Sequence, residues 1–399
     1  MRSHGTFGRI IGVALPLVGS ALGPAVAAQR PPAPPAAWRE FTATFDSLAR
    51  HERIVGASAL LVRDGRVVAR HHFGHADLAA GRRVDDGTIF HWGSITKTLT
   101  AIAVLQLRDR GRLSLDDPVT RWVPELRQVN DPNRVTDGIT LRMLLTHSAG
   151  YQEDTWPWRR YQDWEPFEPT TWAQLVAMMP YQQLRVRPGT AYSYSNPGYI
   201  YLARVIEQVT GDAWQAYVQK NLLAPLRLEG SYFGVTPYHL APHRSHHYFV
   251  QRWATATGDT VIDRGPDFDP GVTIPNGGWN APLDDLARYM VFLTVAARDS
   301  GTARRHDVVL SRRTLEEMWR PAFRIAPDAA ADSMGLGFFI HDRRGMRLVG
   351  HTGQQGAFRA FFYVNPATRA GVVVAYNTTH RTMRSHFTPV AERAMELLR

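Results

Sequence analysis

The chain contains no cysteine and very little lysine. The absence of cysteine from its 399 residues excludes a disulfide scaffold, a thiol nucleophile, an iron–sulfur cluster and a thioether-linked lipid anchor. Lys97 and Lys220 are the only lysines, so arginine supplies nearly all of the basic residues behind the net charge of +10. No block of lysine and arginine forms a basic stripe, and we therefore expect no nucleic-acid partner.

The composition is that of a globular protein. Hydrophobic residues make up 44% of the chain and charged residues 21%, which argues against a disordered or fibrous chain. The length is sufficient for two domains, or for one large domain that contains an insertion.

Residues 1–27 have the pattern of a secretory signal peptide. Arg2 and Arg9 precede an uncharged apolar stretch, and Ala25-Val26-Ala27 provides small residues for cleavage. A retained membrane anchor is the alternative, because the stretch is long enough to span a bilayer, but its prolines and glycines weaken such a helix. We predict cleavage, a proline-rich linker over 28–37, and export to the periplasm or the exterior of a bacterial cell with no remaining membrane span.

Hydrophobic periodicity predicts regular structure at both ends of the chain. On the N-terminal side it predicts a helix over 37–52, a hairpin of strands 57–63 and 66–73 around Asp64-Gly65, and a helix from Ser94 to Gly111. On the C-terminal side the predicted elements are a helix over 283–298, strands over 335–341, 346–352, 357–364 and 370–376, and a helix over 387–398.

The middle of the chain has a different pattern. Between about 112 and 270, short helical segments alternate with loops, and the clearest of these helices are 172–179, 198–210 and 212–223. We therefore predict an α+β fold in which residues 38–115 and 272–399 share one antiparallel sheet flanked by helices. Residues 116–271 would form a mostly helical inserted domain, with a cleft between the two parts.

The segment HWGSITKTLTA contains a serine and a lysine that a helix would bring together. Ser94 opens the predicted helix, so its Oγ lies near the positive end of the helix dipole. Lys97 shares the same helical face, and its Nζ can reach that oxygen. Because lysine is protonated in neutral water, Lys97 can act as a base only where a desolvated cleft disfavours the ammonium form. The alternative is a helix-capping serine beside a solvated lysine.

Two further segments offer polar groups at loops and strand ends. In PGTAYSYSNPGY, Tyr194 can relay protons beside an ammonium group, and Asn196 can hold a substrate amide. In VGHTGQQGAF, a cationic His351 and the Thr352 hydroxyl would suit a carboxylate, while Gly353 permits close approach of a substrate main chain. Each segment alone is equally compatible with an ordinary loop or strand end.

In this order and at these separations, the motifs Ser-x-x-Lys, Tyr-x-Asn and His-Thr-Gly resemble those of the penicillin-recognising serine hydrolases. The nearest branch contains the class C β-lactamases, the D-alanyl-D-alanine carboxypeptidases and related esterases. The resemblance spans about residues 40–395 and implies a β-lactamase/transpeptidase-like fold. It is supported by the segments TIFHWGSITK, LLTHSAGY, PGTAYSYSNPGYIYL and GLGFFI.

The resemblance implies a catalytic role for four residues. Ser94 would be the acylated nucleophile, and Lys97 and Tyr194 would share the general-base and general-acid work. The main-chain N–H groups of Ser94 and Gln354 would form the oxyanion hole, in which two donors face the developing negative charge.

The substrate-binding residues implied by the resemblance include one departure from the β-lactamase pattern. Asn196 would hold the substrate amide, and Thr352 and Gly353 would lie across the cleft near the substrate carboxylate. His351 stands where β-lactamases usually carry lysine, and His-Thr-Gly is similar to the carboxypeptidases and to assorted peptidases and esterases. We expect His351 to bind a carboxylate as a cation, so that KM for an anionic substrate rises above about pH 6.5.

The additional carboxylate-binding arginine of the carboxypeptidases has no unambiguous counterpart. Arg347 and Arg359 are candidates, and either is also compatible with an ordinary surface position. We expect no cofactor and no metal, because neither group of neighbouring histidines has the spacing of a familiar zinc site. These groups are His71, His72 and His75, and His243, His246 and His247.

The tryptophan-rich segment between residues 151 and 172 borders the cleft in the family. It either forms an aromatic wall for the substrate or is a loop pinned to the core by its rings. The tryptophans concerned are Trp156, Trp158, Trp164 and Trp172.

The leading functional hypothesis is a serine hydrolase that forms an acyl-enzyme on Ser94 with an amide or an ester. His-Thr-Gly favours a peptidase or esterase over a class C-like β-lactamase, and the candidate substrates are peptides such as a peptidoglycan stem peptide, short esters and β-lactams. A non-hydrolytic penicillin-binding or sensor protein is the alternative from another class. Such a protein is expected to carry damaged motifs, whereas all three are intact here.

Overall fold

The computed structural model describes residues 36–131, 133–152, 169–251, 259–294, 300–325, 331–380 and 383–399. Within these ranges the α-helices are α1 (Ala36–His51), α2 (Thr96–Asp109), α3 (Leu141–Leu145), α4 (Trp172–Met178), α5 (Asn196–Thr210), α6 (Trp214–Val218), α7 (Ile274–Gly277), α8 (Leu283–Thr294), α9 (Ser300–Asp307), α10 (Arg312–Met318) and α11 (Arg384–Glu396). The strands are β1 (Gly56–Arg63), β2 (Arg66–Asp77), β3 (Arg82–Arg83), β4 (Ile89–His91), β5 (Tyr232–Phe233), β6 (Tyr248–Gln251), β7 (Thr260–Asp263), β8 (Trp279–Pro282), β9 (Phe323–Arg324), β10 (Ser333–Met334), β11 (Phe339–Arg343), β12 (Met346–Gln355), β13 (Phe358–Asn365), β14 (Ala370–Tyr376) and β15 (Thr378–Thr379).

The largest sheet in the described ranges joins the two ends of the chain. It has nine strands in the order β3-β2-β1-β14-β13-β12-β11-β10-β9. β1 pairs antiparallel with β14, from Ala57 opposite Tyr376 to Arg63 opposite Ala370. The expectation that N- and C-terminal segments share one antiparallel sheet is therefore confirmed.

Helices cover both faces of this sheet. Successive residues of a strand point to opposite faces, and in β1 Ala59 and Leu61 enter one core while Leu60 and Val62 enter the other. α1 and α11 pack on the first face, where α1 contributes the apolar side chains that its helical spacing predicts. α2 lies in the second core and is buried on all sides from Thr96 to Leu107. A helix in the interior is a rigid support for a site at its N-terminus.

A small sheet in the described residues, β4-β8-β5, places two further segments beside α2. His91 at the end of β4 lies opposite Asn280 in β8. β4 leads directly into the turn that carries Ser94, and α7 immediately precedes β8. This pairing therefore brings Ser94 and α7 to the same end of α2.

The second half of β12 extends past β11 and reaches the Ser94 turn. Pairing with β11 ends at Gly350, opposite Phe339, whereas pairing with β13 continues to Gln355. A Cβ added to Gly353 would lie only 2.0 Å from the Trp92 main-chain oxygen. The glycine is required because β12 and the turn touch through their main chains.

Three regions differ from the sequence predictions. The predicted strand 335–341 is correct only from Phe339, where β11 begins, because Gly335 N–H donates to Phe338 O at 2.8 Å and forms a turn between β10 and β11. The mostly helical middle also contains β5, β6 and β7, and β6 pairs in parallel with the distant β15. α9 and α10 were not predicted, and the predicted helix over 283–298 is described only as far as Thr294.

The predicted signal peptide, together with linker residues 28–35, lies outside the described residues. Within the described ranges, no helix combines the length and the apolar character that a membrane crossing needs. The division into a sheet domain and an inserted domain stays a prediction.

Candidate active site

Ser94 lies in a short 3-10 turn, Gly93–Ile95, directly before α2. Gly93 has a φ of 53°, and a Cβ there would lie 2.6 Å from the main-chain nitrogen of Gln354. Glycine satisfies both the left-handed backbone and the close approach of β12. The main-chain N–H of Trp92 donates to Trp279 O at 2.8 Å, which anchors the turn to β8.

Lys97 is fully buried one helical turn beyond Ser94. Its Nζ lies 2.9 Å from Ser94 Oγ, as the helical spacing predicts. The same nitrogen lies 2.8 Å from Asn196 Oδ1 and 2.9 Å from the main-chain oxygen of Asn276. Three neutral oxygens from three separate segments thus surround one amine.

Asn196 is the first residue of α5 and faces Lys97 from the opposite side. The preceding Ser195 caps the helix, and its Oγ accepts from the main-chain N–H of Gly198 at 3.1 Å. Asn196 Oδ1 accepts from Lys97 and also from Asn276 Nδ2, at 3.3 Å. The Asn196 side-chain oxygen is therefore occupied by hydrogen bonds within the site, and its NH2 group is the part that can donate to a substrate.

A row of rings forms one wall beside Lys97. The Lys97 Nζ lies 4.9 Å from the centroid of the Tyr194 ring. Tyr194 packs against His147 at a centroid distance of 4.3 Å and against Phe339 at 6.4 Å, and Phe339 lies 4.7 Å from His351. The row brings residues of the Tyr-x-Asn and His-Thr-Gly motifs to one side of the lysine.

The structure contradicts the expectation of a cationic His351. The ring is buried, with 1% of its surface exposed, and burial together with the nearby Lys97 charge lowers its pKa from 6.5 to about 3. Its Nδ1 lies 2.6 Å from the main-chain oxygen of Thr352, so the proton is on Nδ1 and Nε2 carries a lone pair. His351 is therefore a neutral acceptor near pH 7.

The two predicted oxyanion-hole residues, Ser94 and Gln354, lie close together in the fold. The contact between Gly93 and the Gln354 nitrogen places the main chain of Gln354 beside that of Ser94. Thr352 is exposed, and Gly353 is buried against the turn. The predicted role of Gly353 in substrate approach stays a prediction, and the contact that the structure shows for it is with the main chain of Trp92.

Neither candidate arginine supplies an evident carboxylate site. Arg347 is half-exposed and forms a bidentate ion pair with Asp342, with N–O distances of 3.0 and 3.2 Å. Arg359 lies opposite Gln354 in the sheet, and its Nε donates to Thr379 Oγ1 at 2.8 Å.

The histidine groups noted in the sequence make contacts with acidic side chains. His71 lies 2.6 Å from Asp46, and His246 lies 2.9 Å from Asp263. His72 lies between Asp86 and a serine of β1, 3.0 Å from each. Across the described part of the chain, no group of three or more histidine or acidic side chains has the arrangement of a metal site.

The tryptophan-rich segment is only partly described. Trp156, Trp158 and Trp164 lie outside the described residues, so the aromatic wall stays a prediction. Trp172 begins α4 and packs edge-on against Tyr201 at 6.3 Å.

Sequence reasoning missed the contribution of Asn276. It accepts from Lys97 through its main-chain oxygen, and any residue type provides such an oxygen, so the sequence carries no signal for it. The sequence of the LLTHSAGY segment likewise carries no signal for the position of His147. Its burial beside Tyr194 depends on the fold.

Three buried histidines should make the fold sensitive to acid. Burial lowers the pKa of His91 and His247 to about 4 and that of His351 to about 3, from 6.5. Below pH 6.5 the unfolded chain therefore binds more protons than the folded chain, so stability falls as the pH falls. Each histidine should contribute a slope of about 1.4 kcal/mol per pH unit. We expect the free energy of unfolding, measured with urea, to decrease steeply from pH 6.5 to pH 5.

His247→Phe is the matched control for this prediction. His247 lies near the rings of Phe268 and Phe358, at 5.5 and 5.2 Å, so a phenyl ring suits its surroundings. The pH slope of the variant should be smaller by about 1.4 kcal/mol per pH unit. A free energy of unfolding that stays constant between pH 7 and pH 5 would show that these histidines are not held neutral.

Comparison with known proteins supports the family resemblance. The β-lactamase family model matches residues 41–394. Protein flp of Staphylococcus aureus (strain COL) is 26% identical over 338 residues, which are 84% of this chain and 62% of flp. Esterase EstB of Burkholderia gladioli is 45% identical over 112 residues, 27% of each chain. The chain thus spans less than two thirds of the length of these curated relatives.

A solved structure confirms the fold class. The octameric penicillin-binding protein homologue from Pyrococcus abyssi is 25% identical, with a TM-score of 0.70. The match covers 86% of this chain and 74% of that one. The predicted α+β, β-lactamase/transpeptidase-like fold is therefore confirmed.

Proposed function

Because this chain belongs to the β-lactamase family and has its serine hydrolase fold, we propose that it hydrolyses esters or amides through an acyl-enzyme on Ser94. A peptidase or esterase is favoured over a class C-like β-lactamase, since His351 stands in place of lysine. The partial similarity to Esterase EstB supports an ester among the substrates.

The contacts of Lys97 are the observation that carries this proposal. Asn196 Oδ1 and Asn276 O can only accept hydrogen bonds, so two N–H groups of Lys97 must point at them. A neutral amine has two N–H groups and one lone pair. The third contact, to Ser94 Oγ at 2.9 Å, is then the direction of the lone pair. In the neutral form that acylation requires, Lys97 would therefore have the geometry of a general base towards Ser94 Oγ.

In the proposed acylation, Ser94 Oγ forms a bond to the substrate carbonyl carbon and its proton passes to Lys97 Nζ. The carbonyl π electrons move to oxygen, and the resulting anion faces the main-chain N–H groups of Ser94 and Gln354. The bond to the leaving group then breaks, and the departing alcohol or amine takes the proton by way of the Tyr194 hydroxyl. Water hydrolyses the acyl ester, which releases the acid and restores Ser94.

The neutral state of His351 supports an uncharged group next to the reacting carbonyl. Its Nε2 atom is buried and carries a lone pair, so His351 adds no positive charge that would attract a substrate carboxylate. Thr352 adds a neutral hydroxyl on the exposed side. Together these groups favour a neutral ester or amide over a substrate that ends in a carboxylate.

A matched pair of esters tests this preference. We expect kcat/KM for p-nitrophenyl butyrate to exceed that for the p-nitrophenyl monoester of succinate by at least about tenfold, the effect of one unfavourable charge contact of about 1.4 kcal/mol. KM for the succinate ester should not change between pH 5.5 and pH 8, because a pKa of about 3 keeps His351 neutral throughout.

His351→Lys and His351→Asn form the control pair. The lysine variant should lower KM for the succinate ester, because it adds a cation, whereas the asparagine variant should retain the preference for the butyrate ester. If KM of the wild-type protein for the succinate ester rises above pH 6.5, His351 is cationic and the preference for neutral substrates is wrong. Absence of turnover with any ester, amide or β-lactam would contradict the hydrolase itself.

A further inference from the structure

His147 lies in the LLTHSAGY segment, two residues after α3, and takes no part in the reaction described above. Its side chain is buried, with 1% of its surface exposed. Its φ is 54°, a left-handed conformation in which non-glycine residues are uncommon and histidine, asparagine and aspartate are enriched. Such strained positions persist where the surrounding contacts hold them.

Two hydrogen bonds join His147 to the residues on either side of Tyr194. The main-chain N–H of Ser193 donates to the His147 main-chain oxygen at 2.7 Å. The main-chain N–H of Ser195 donates to His147 Nδ1 at 3.1 Å. The imidazole also packs on the Tyr194 ring, with centroids 4.3 Å apart and planes inclined at 34°. Tyr194 is therefore held by its two neighbours and by its ring.

The bond to Ser195 fixes the charge state and the tautomer of His147. A main-chain N–H can only donate, so Nδ1 carries the lone pair and the proton is on Nε2. Burial lowers the pKa of His147 well below 6.5, and the positive charge of Lys97 acts in the same direction. The acceptor is thus retained at neutral pH.

The same bond reaches the N-terminus of α5. Ser195 caps this helix through its Oγ, and the next residue, Asn196, accepts from Lys97. Among the described residues, Nε2 of His147 has no hydrogen-bond partner, so Nδ1 is the atom through which the ring acts on α5. One acceptor therefore holds the loop that carries both Tyr194 and Asn196.

We propose that His147 is a positioning residue, whose Nδ1 sets the distance of Tyr194 and Asn196 from Lys97 and Ser94. The inference rests on the proposed function. Through His147 the LLTHSAGY segment would influence the chemical step. A displacement of about 1 Å in Tyr194 or Asn196 can lower the rate on the order of 100-fold. For p-nitrophenyl butyrate the effect falls on kcat, because this ester has no amide for Asn196 to hold.

His147→Asn and His147→Leu test the acceptor directly. Asparagine and leucine have similar size and branching, but only asparagine offers an oxygen near the position of Nδ1. We expect kcat of the asparagine variant to remain within about fivefold of the wild-type value, and that of the leucine variant to fall about 30- to 100-fold. KM should stay within about threefold for both variants, measured with p-nitrophenyl butyrate.

Two further variants keep the comparison decisive. His147→Phe retains a ring against Tyr194 without the acceptor, so it should lose activity as the leucine variant does, and it replaces that variant if leucine prevents folding. His341→Leu is the control for removal of a buried histidine. His341 lies in β11 and its ring packs on Tyr363 of β13 at 5.2 Å, and kcat should change less than twofold.

The outcomes separate this inference from the proposed function. Thermal melts first establish that each variant is folded. A folded leucine variant with wild-type kcat, or an asparagine variant as impaired as the leucine variant, overturns the role of Nδ1 while wild-type turnover still supports the hydrolase. Failure of the wild-type protein to turn over or become acylated overturns the proposed function, and the inference with it.

Discussion

Replacement of Ser94 by alanine should lower kcat by about 10⁴-fold or more for every ester and amide that the wild-type protein hydrolyses. The Ser94 Oγ forms the acyl bond, and the main-chain N–H groups and bound substrate alone provide only residual catalysis. The variant loses one hydrogen bond from Lys97, which should cost about 1 kcal/mol of stability. Steady-state hydrolysis of p-nitrophenyl butyrate and a thermal melt of the same sample measure both effects.

Ser58→Ala is the matched control for this prediction. Ser58 Oγ lies 3.0 Å from His72 Nδ1, and His72 Nε2 lies 3.0 Å from Asp86 Oδ1. Ser58, His72 and Asp86 have the residue types of a catalytic triad. Ser58, however, lies in the middle of β1 and none of its surface is exposed. The control should retain kcat within about twofold. Loss of activity in Ser58→Ala, with retention in Ser94→Ala, would transfer the nucleophile to the other serine.

Replacement of Lys97 by methionine should lower the rate of acylation by about 10²- to 10⁴-fold, the range for loss of a general base. Methionine fills much of the buried volume but cannot accept the Ser94 proton. Lys97→Arg should be equally inactive, because a guanidinium remains protonated and needs a wider donor geometry. The burst of p-nitrophenol in stopped-flow measurements reports acylation separately from release of the acyl group.

Lys220→Met is the control that the chain itself offers. Lys220 is the other lysine of the sequence, and it is exposed and paired with Asp212. Its replacement should leave the burst rate unchanged. A Lys97→Met variant that acylates at the wild-type rate would show that another group accepts the proton, and Tyr194 would then be the first candidate.

The sequence could predict the local part of the site because it depends on a single helix. Ser94 and Lys97 are three residues apart, and their contact follows from helical geometry once the helix is identified. That the two ends of the chain share one sheet could also be predicted from the apolar strands at both ends, whereas the pairing of β1 with β14 comes from the structure. These predictions depend on short stretches in which periodicity is clear.

The charge of His351 could not be predicted in this way. A histidine at a strand end is cationic or neutral according to its burial and its neighbours. The structure places it beneath Phe339 and near Lys97, and both the lost solvent and the lysine charge favour the neutral ring. The histidine of the His-Thr-Gly motif is therefore neutral instead of cationic as expected.

The sequence also could not predict contacts that are made through the main chain. Asn276 contacts Lys97 through its main-chain carbonyl oxygen. Gly353 packs so closely on Trp92 that a Cβ at this position would lie 2.0 Å from the Trp92 main-chain oxygen. The short strands β5, β6 and β7 pair with segments far along the chain, and runs of two to four residues show no usable periodicity. Each of these features depends on long-range packing.

Mass spectrometry of the intact protein tests the central claim most directly. The protein would be mixed with p-nitrophenyl trimethylacetate, whose hindered acyl group slows the hydrolysis of an acyl-enzyme, and then quenched in acid. The account predicts a single trimethylacetyl adduct, located by peptide mapping on Ser94 and absent from Ser94→Ala. Release of p-nitrophenol that persists in Ser94→Ala, with no adduct on the Ser94 peptide of the wild-type protein, would contradict it.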